Sequence, residues 1–294
     1  MARTVLLTLG RLPKALDIAR SFKLHGWRVL IAEPFAWHLC RVSQAVDRSF
    51  TVTAPAVDAA AYLRELLAIV TREGVELVVP VSEEIIHVAH LRGMLPPGVG
   101  LYAMPPGVLL ALHSKADFVG RAAEYGVAAP ETFALGEPGG TELVARGPVV
   151  VKPVFSCSGR GVQFLARDAL LPAPDPATPA VVQARVPGEV FTSFSIAHRG
   201  RSLVTVIYRG AVMSGTVAVC FERVDGHAAI EAWAHRFIAE ARFDGFISFD
   251  FVVDPAGRAW GIECNPRATS GIHFVHPEDI APAVVAPASG RPVR

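Results

Sequence analysis

The chain has 294 residues, 51% of them hydrophobic and 19% charged, enough apolar material for one large α/β unit or two or three small lobes around a shared site. That excludes a fibre, a disulfide mini-protein and a disordered tail. Lys and Arg number 28 against 27 Asp and Glu, a net charge of +1, and the cations are scattered, so no nucleic-acid partner is expected.

Four cysteines, Cys40, Cys157, Cys220 and Cys264, lie far apart with no C-x-x-C spacing, which argues for reduced thiols over zinc or disulfides. The opening apolar run, 5–9, is too short for a signal-peptide core. The most apolar stretch, 202–221, is interrupted by Arg209-Gly210 and reads as two strands around a turn, not as a membrane span. The expectation is a cytoplasmic protein with no membrane partner.

In chain order, a strand at 4–9, a helix at 14–24 carrying Leu16, Ala19 and Phe22 on one face, and a strand at 27–32 open the sequence. A helix at 59–73, a strand at 77–80 and a helix at 82–91 follow. Such alternation implies a parallel sheet with ligand loops at its carboxyl edge. The first crossing holds only Gly10, so the G-x-G-x-x-G fingerprint and with it a nicotinamide dinucleotide are excluded. A helical stretch at 109–125, closed by Gly126, marks a lobe boundary near residue 112. From 147 on, β-rich runs at 149–153, 161–165, 180–186, 191–198, 203–208 and 212–220 are interrupted by one helix at 227–241, and the Pro-Ala string 171–179 is a surface loop. His87 and His90 lie three apart on a predicted helix but lack a third ligand.

The segment 245–267 is the most informative. Asp254-Pro-Ala-Gly257 is a turn between two strands. With Val253 opposite Arg258, the register puts Asp250 opposite Gly261 and Ser248 opposite Glu263. Asp250, Glu263 and Asn265 then share one face, with Gly261 leaving room beside Asp250, while Phe249, Phe251, Trp260 and Ile262 point the other way. Two carboxylates and an amide suit Mg²⁺, which leaves its other positions to water and phosphate. The alternative is a solvated strand face carrying ordinary acids. Upstream, Lys152 ends a strand and runs directly into Ser156-Cys-Ser158-Gly159-Arg160-Gly161-Val162. Backbone N–H groups of small residues can wrap polyphosphate beside such a lysine, although a plain hairpin turn would look the same. Lys115, in His113-Ser114-Lys115 at a helix start, adds a second cation.

Taken in order, Ser114-Lys115 to Phe118, the Val-Lys-Pro with its Gly-rich loop, Val182 to Glu189, the hairpin and Glu263-Cys-Asn-Pro-Arg267 resemble the ATP-grasp superfamily, in its carbamoyl-phosphate-synthetase-like and carboxylate-amine ligase branch. The resemblance covers nearly the whole chain. It implies an α/β N-terminal lobe, 1–112, followed by an α+β ATP-grasp fold whose two subdomains, a lid at 113–186 and a C-terminal part at 187–294, sandwich ATP. It implies Lys115 and Lys152 on the phosphates under a loop of Ser156, Ser158, Gly159, Gly161 and Val162. Gln183 with Arg185 and Val186 would read adenine, Glu189 the ribose, and only one of Val252 and Ile262 would touch the base. Asp250, Glu263 and Asn265 would hold Mg²⁺, two ions in all and replaceable by Mn²⁺, with Lys152 and Arg267 catalytic.

The activity so implied is an ADP-forming ligase: a small-molecule carboxylate becomes an acyl phosphate that an amine or similar nucleophile resolves. A phosphotransferase and a non-catalytic nucleotide-binding subunit are the competing readings. Apolar residues of the first lobe offer a homodimer contact. For the organic substrate, Glu83 or Glu84 would hold an amino group opposite Arg267 and Ser270, the alternative being that Ser82 merely caps a helix whose first turn favours acids.

Overall fold

The structure, a computed structural model, describes residues 2–156, 159–215 and 217–285. Its first lobe is built by β1 (Thr4–Thr8), α1 (Pro13–Leu24), β2 (Arg28–Glu33), β3 (Arg48–Thr51), α2 (Ala59–Glu73), β4 (Leu77–Val79), α3 (Ile85–Val88) and β5 (Gly100–Leu101). The strands form a five-stranded parallel sheet in the order β3-β2-β1-β4-β5. Strands buried on both sides read as continuous apolar runs, and Leu6, Leu30 and Val78 pack on the α2 side while Val5, Leu7, Val29 and Ile31 pack on the α1 side.

Then come α4 (Pro106–His113), α5 (Lys115–Glu124), β6 (Thr132–Ala134), α6 (Pro138–Arg146), β7 (Val149–Pro153), β8 (Gln163–Leu165) and β9 (Ala180–Ala184). Strands β6, β9, β7 and β8 pair in that order as a small antiparallel sheet. The last part comprises β10 (Glu189–His198), β11 (Arg201–Ser214), β12 (Val217–Val224), α7 (Ala228–Glu240), β13 (Gly245–Val253), β14 (Ala259–Asn265) and α8 (Pro277–Val285). Its antiparallel sheet runs β12-β11-β10-β13-β14. One face of that sheet joins the α1 side of the first lobe in a common core through Phe194, Ile196, Val206 and Phe246. The other face carries α4, α5 and α7, with Phe118, Trp233, Phe237, Phe249 and Phe251 interlocked; Trp233 stacks on Phe237 at 5.3 Å and meets Phe251 edge-on at 5.1 Å.

Several sequence expectations change. The helix expected over 82–91 is α3 followed by a 3-10 turn, Ala89–Gly93. Ser82 caps nothing: its Oγ accepts from Lys14, while the Val81 and Ser82 N–H groups and the Thr8 hydroxyl all donate to the Glu84 carboxylate. The stretch 109–125 breaks at Ser114, in extended conformation, whose Oγ accepts from the Asp117 N–H and so starts α5 anew. Strand β11 passes straight through Arg209-Gly210, paired with Glu222 and Phe221, and turns only after Ser214, where Gly215 has φ +61°. The short strands β3, β5 and β6, of two to four residues, carry too little periodicity to read and have no counterpart among the expected elements, nor do the nine-residue helices α6 and α8.

The hairpin register also differs from expectation. Val253 pairs with Ala259, Val252 with Trp260 and Phe251 with Gly261, and then a bulge makes Asp250 the partner of Glu263, Phe249 that of Cys264 and Ser248 that of Asn265. Ile262 is the extra residue. Gly261 therefore does not make room beside Asp250. It lies on the core face, where an added Cβ would overlap the Trp233 ring, and its N–H and the Trp233 indole N–H both donate to the Ala128 carbonyl. Trp260 sits instead on the Val252 face, its indole N–H donating to Asp254 Oδ2 at 2.9 Å.

Because the Trp233 ring is held on every side by aromatic neighbours, Gly261→Ala is expected to lower stability by about 1–3 kcal/mol, the usual cost of overpacking a filled core. A urea or thermal unfolding midpoint within error of the parent would show that the ring can move aside.

Candidate functional site

A cavity of about 690 Å³ lies between the small sheet and the β13–β14 hairpin. Alternation along β7 aims Val150 and Lys152 into it, and β9 contributes Gln183. Arg185 and Val186 line its rim, and Arg185 covers the Phe164 ring at 5.3 Å. Val252 and Ile262 both face the cavity, contrary to the expectation that only one could, because Val252 pairs with Trp260, one residue off the expected register, and Ile262, two residues on from Trp260, shares its face. Val150, Phe164 and Val190 complete the apolar walls; the i−2 relation of Val150 to Lys152 was a readable signal for the first.

Lys152 is buried, donates to Gln183 Oε1 at 2.9 Å and to the Ile262 carbonyl at 2.8 Å, and so ties the small sheet to the hairpin. Burial pushes its pKa down to about 8, against the opposing pull of Glu263 and Asp250. The Gln183 Nε2 donates to Thr132 Oγ1 at 2.9 Å, which turns its oxygen toward the cavity with a lone pair to spare. Lys115, 2% exposed, meets Glu263 Oε1 at 3.2 Å and donates to the Ser156 carbonyl at 3.1 Å. At its side His113 ends α4, the ring 5.8 Å from that of Phe155; burial and the nearby Lys115 and Arg267 charges push its pKa down.

Gly159 and Gly161 adopt φ of +67° and +74°, a conformation that Gly enters freely, and Val162 reaches the cavity. Ser158 lies outside the described residues. Glu189 requires a correction: its side chain, 72% exposed, pairs with Arg209 at 3.5 Å and borders a separate cavity. Its neighbour Val190 is the one that faces the large cavity, since successive strand residues alternate.

Asp250 and Glu263 stand directly opposite each other across the hairpin, with Asn265 on the same face. Burial, then the Glu263 charge, pushes the Asp250 pKa up, although Thr192 Oγ1 donates to it at 2.8 Å. Asn265 Nδ2 donates to Asp250 Oδ2 at 3.2 Å. Two carboxylates facing each other at partial burial are what a hard divalent cation relieves, and the oxygens present fit Mg²⁺. Among the described residues no group of three His, Cys, Asp or Glu side chains converges for a metal, so further oxygens would come from Asn265, water and phosphate.

Arg267, 13% exposed, donates to Glu83 Oε1 at 3.1 Å and to Asn265 Oδ1 at 3.2 Å. Glu83 thus faces the second half of the molecule as expected. Glu84 does not: buried, with its oxygens taken by Thr8, Val81 and Ser82, it cannot reach a substrate. Ser270 opens the 3-10 turn Ser270–Phe274 just beyond Arg267. Two residues here had no sequence signal, Thr192 beneath Asp250 and Lys14, whose Nζ enters the Arg267–Glu83 region from α1.

Among the described residues no helix is long and apolar enough to cross a membrane. No protein-family model matches the sequence, and no curated protein matches it. Solved structures do resemble it. An L-amino acid ligase from Bacillus licheniformis superposes with a TM-score of 0.70 at 15% identity over 93% of this chain and 69% of its own. N5-carboxyaminoimidazole synthetase from Staphylococcus aureus gives a TM-score of 0.70 at 14% identity, covering 93% of this chain and 73% of its own. The biotin carboxylase domain dimer of 2-oxoglutarate carboxylase from Hydrogenobacter thermophilus, in complex with MgADP, ADP and bicarbonate, gives 0.71 at 13% identity over 100% and 71%. These neighbours are ATP-grasp enzymes, and with a parallel lobe followed by two antiparallel sheets about one cavity, this chain has the ATP-grasp fold.

Proposed function

We propose that the protein is an ADP-forming ligase that uses ATP to activate a substrate carboxylate as an acyl phosphate for attack by an amine or similar nucleophile. The observation that carries this reading is the convergence, at one end of an apolar cavity, of Asp250, Glu263 and Asn265 with Lys115 and Lys152. Apolar walls with a single carboxamide suit a base; paired cations and carboxylates at the far end suit a polyphosphate with its metal. The neighbours named above include a ligase, a synthetase and a carboxylase domain bound to MgADP.

In this reading the adenine lies among Val150, Val252 and Ile262, and Gln183 Oε1 accepts from its amino group while the backbone after β9 meets its edge. Lys152 and Lys115 neutralise phosphate oxygens, and the Gly159–Gly161 turn covers them. Asp250, Glu263 and Asn265 would hold Mg²⁺, which when bound draws charge from the β- and γ-phosphate oxygens. Arg267 steadies the carboxylate oxygen as it attacks the γ-phosphorus, the bridging β–γ oxygen leaves with ADP, and the nucleophile then displaces phosphate from the acyl carbon. Positioning and charge neutralisation supply the rate.

The direct test is nucleotide product analysis with Mg²⁺, ATP and pooled acids and amines. ADP with phosphate is expected, and AMP with pyrophosphate as the sole products would remove the reading. Glu263→Gln should reduce turnover by about two orders of magnitude or more while the circular dichroism spectrum and unfolding midpoint are kept, as loss of a charge worth several kcal/mol at the transition state implies. Full activity would place the metal elsewhere.

A further expectation concerns pH. Lys152 in the free protein titrates near 8, so it is mostly charged at pH 7 and mostly neutral at pH 9.5, and ATP affinity should fall as pH rises across that window. Lys152→Met should weaken binding at pH 7 by roughly tenfold or more, the worth of a charge-assisted hydrogen bond, and should flatten the pH dependence. Calorimetric titrations of the two proteins that run parallel in pH would assign the effect to another group.

A further inference from the structure

Beyond the phosphate end lies a group of charges drawn from both halves of the molecule. Lys14, in the first turn of α1, donates to the Ala268 carbonyl at 2.6 Å and to Ser82 Oγ at 2.9 Å. An ammonium has three protons, so among the described residues one is left without an acceptor. Arg267 donates through Nη2 to Glu83 and Asn265, and its Nε is buried with no partner among the described residues. Two cations thus approach the same region from different elements, each with a donor unplaced. Unplaced buried donors are costly, and an acceptor arriving between them removes that cost.

Charge decides what kind of acceptor. Lys14 and Arg267 are balanced by Glu83 and Glu84, and Glu84 is already sealed beneath Thr8 and two backbone N–H groups. A plain carboxylic acid entering this balanced group would leave one negative charge uncompensated in a partly desolvated place; a zwitterion would leave none. Glu83, 51% exposed, supplies the site for the positive end. Since Glu83 and Arg267 touch at 3.1 Å, the ligand's opposite charges must lie on neighbouring or next-neighbouring carbons.

Resting on the ligase reading above, we infer that the acid activated is an α- or β-amino acid, its carboxylate received between Lys14 and Arg267 and its ammonium by Glu83, which sets the preference for an amino acid. One carboxylate oxygen attacks the γ-phosphorus as the bond to the β–γ bridging oxygen breaks and ADP departs; the other stays on the cations. Burial, then the Arg267 charge, pushes the pKa of Lys14 down to about 8, against Glu84 and Glu83.

The test uses the whole chain with Mg²⁺, ATP and hydroxylamine, whose nitrogen attacks the acyl carbon, expels phosphate and loses a proton to water, leaving a hydroxamate. The probes are the twenty common L-amino acids and β-alanine, each set against the same acid without its amine, as L-alanine against propionate and L-phenylalanine against 3-phenylpropionate. ADP and hydroxamate are expected from at least one amino acid at ten times or more the rate of its deaminated partner. Equal rates within pairs, or turnover of deaminated acids alone, would overturn the inference and leave the ligase reading standing; no ADP from any probe would remove both. Lys14→Met should raise the KM for the preferred amino acid tenfold or more and leave that for ATP within twofold, whereas Lys14→Arg should recover part of the loss. An unchanged amino-acid KM in Lys14→Met overturns the role of Lys14. If that variant does not fold, Glu83→Gln decides: it should erase the preference over the deaminated acid, and an intact preference counts against the inference.

Discussion

Two carboxylates, Asp250 and Glu263, are held directly opposite each other on adjacent strands against their mutual repulsion, and much of the molecule is arranged to keep them there. Burial first, and the Glu263 charge second, hold the pKa of Asp250 above its ordinary value. What compensates is local and precise in kind: Thr192 and Asn265 donate to Asp250, Lys115 meets Glu263, and Lys152 reaches the backbone at Ile262. Each of these donors comes from a different element, so the pair can exist only when β10, α5 and β7 are all in place. A cation introduced there meets a site already formed, which is the condition under which binding energy is not consumed in ordering the ligands.

The aromatic core on the far face of the same hairpin is the mechanical counterpart of that arrangement. Gly261 lets the Trp233 ring lie against β14, and the bulge that follows shifts the pairing by one residue. Without the shift, Glu263 would pair with Phe249 and point to the core face, away from Asp250. Ile262, two residues on from Trp260, lies on the Val252 side by ordinary alternation, and the bulge brings Glu263 to the same cavity. Bulges beside active sites re-aim side chains in this manner because an extra residue reverses the alternation beyond it.

The parallel lobe meets this machinery at its carboxyl edge. Lys14 from α1 and Glu83 from the loop after β4 project from there toward Arg267, which stands two residues beyond the last donor of the hairpin. Loops at that edge are where a parallel sheet gathers ligand groups, because the strands all end there and the helices begin. The Arg267–Glu83 pair and the Lys14–Ala268 bond are therefore both contacts between halves of the chain, and the region they enclose exists only in the assembled molecule.

Much of this was present in the linear sequence. Alternating apolar runs and helical spacing determine a parallel lobe, the Gly- and Pro-punctuated β runs determine antiparallel sheets, and the order Ser114-Lys115, Lys152, Gln183, Asp250 and Glu263-Cys-Asn-Pro-Arg267 names the candidate groups for the site. Those signals are local: they depend on periods of two and of 3.6 and on residue type. The tertiary structure alone decided the register of the hairpin, the side on which Ile262, Trp260 and Glu189 lie, the burial of Glu84 under Thr8, and the arrival of Lys14 beside Arg267. A bulge is a one-residue event, and a contact 254 residues apart is set by how two sheets share a core. Neither leaves a trace in any short window of sequence, because the energy that selects it comes from residues remote in the chain.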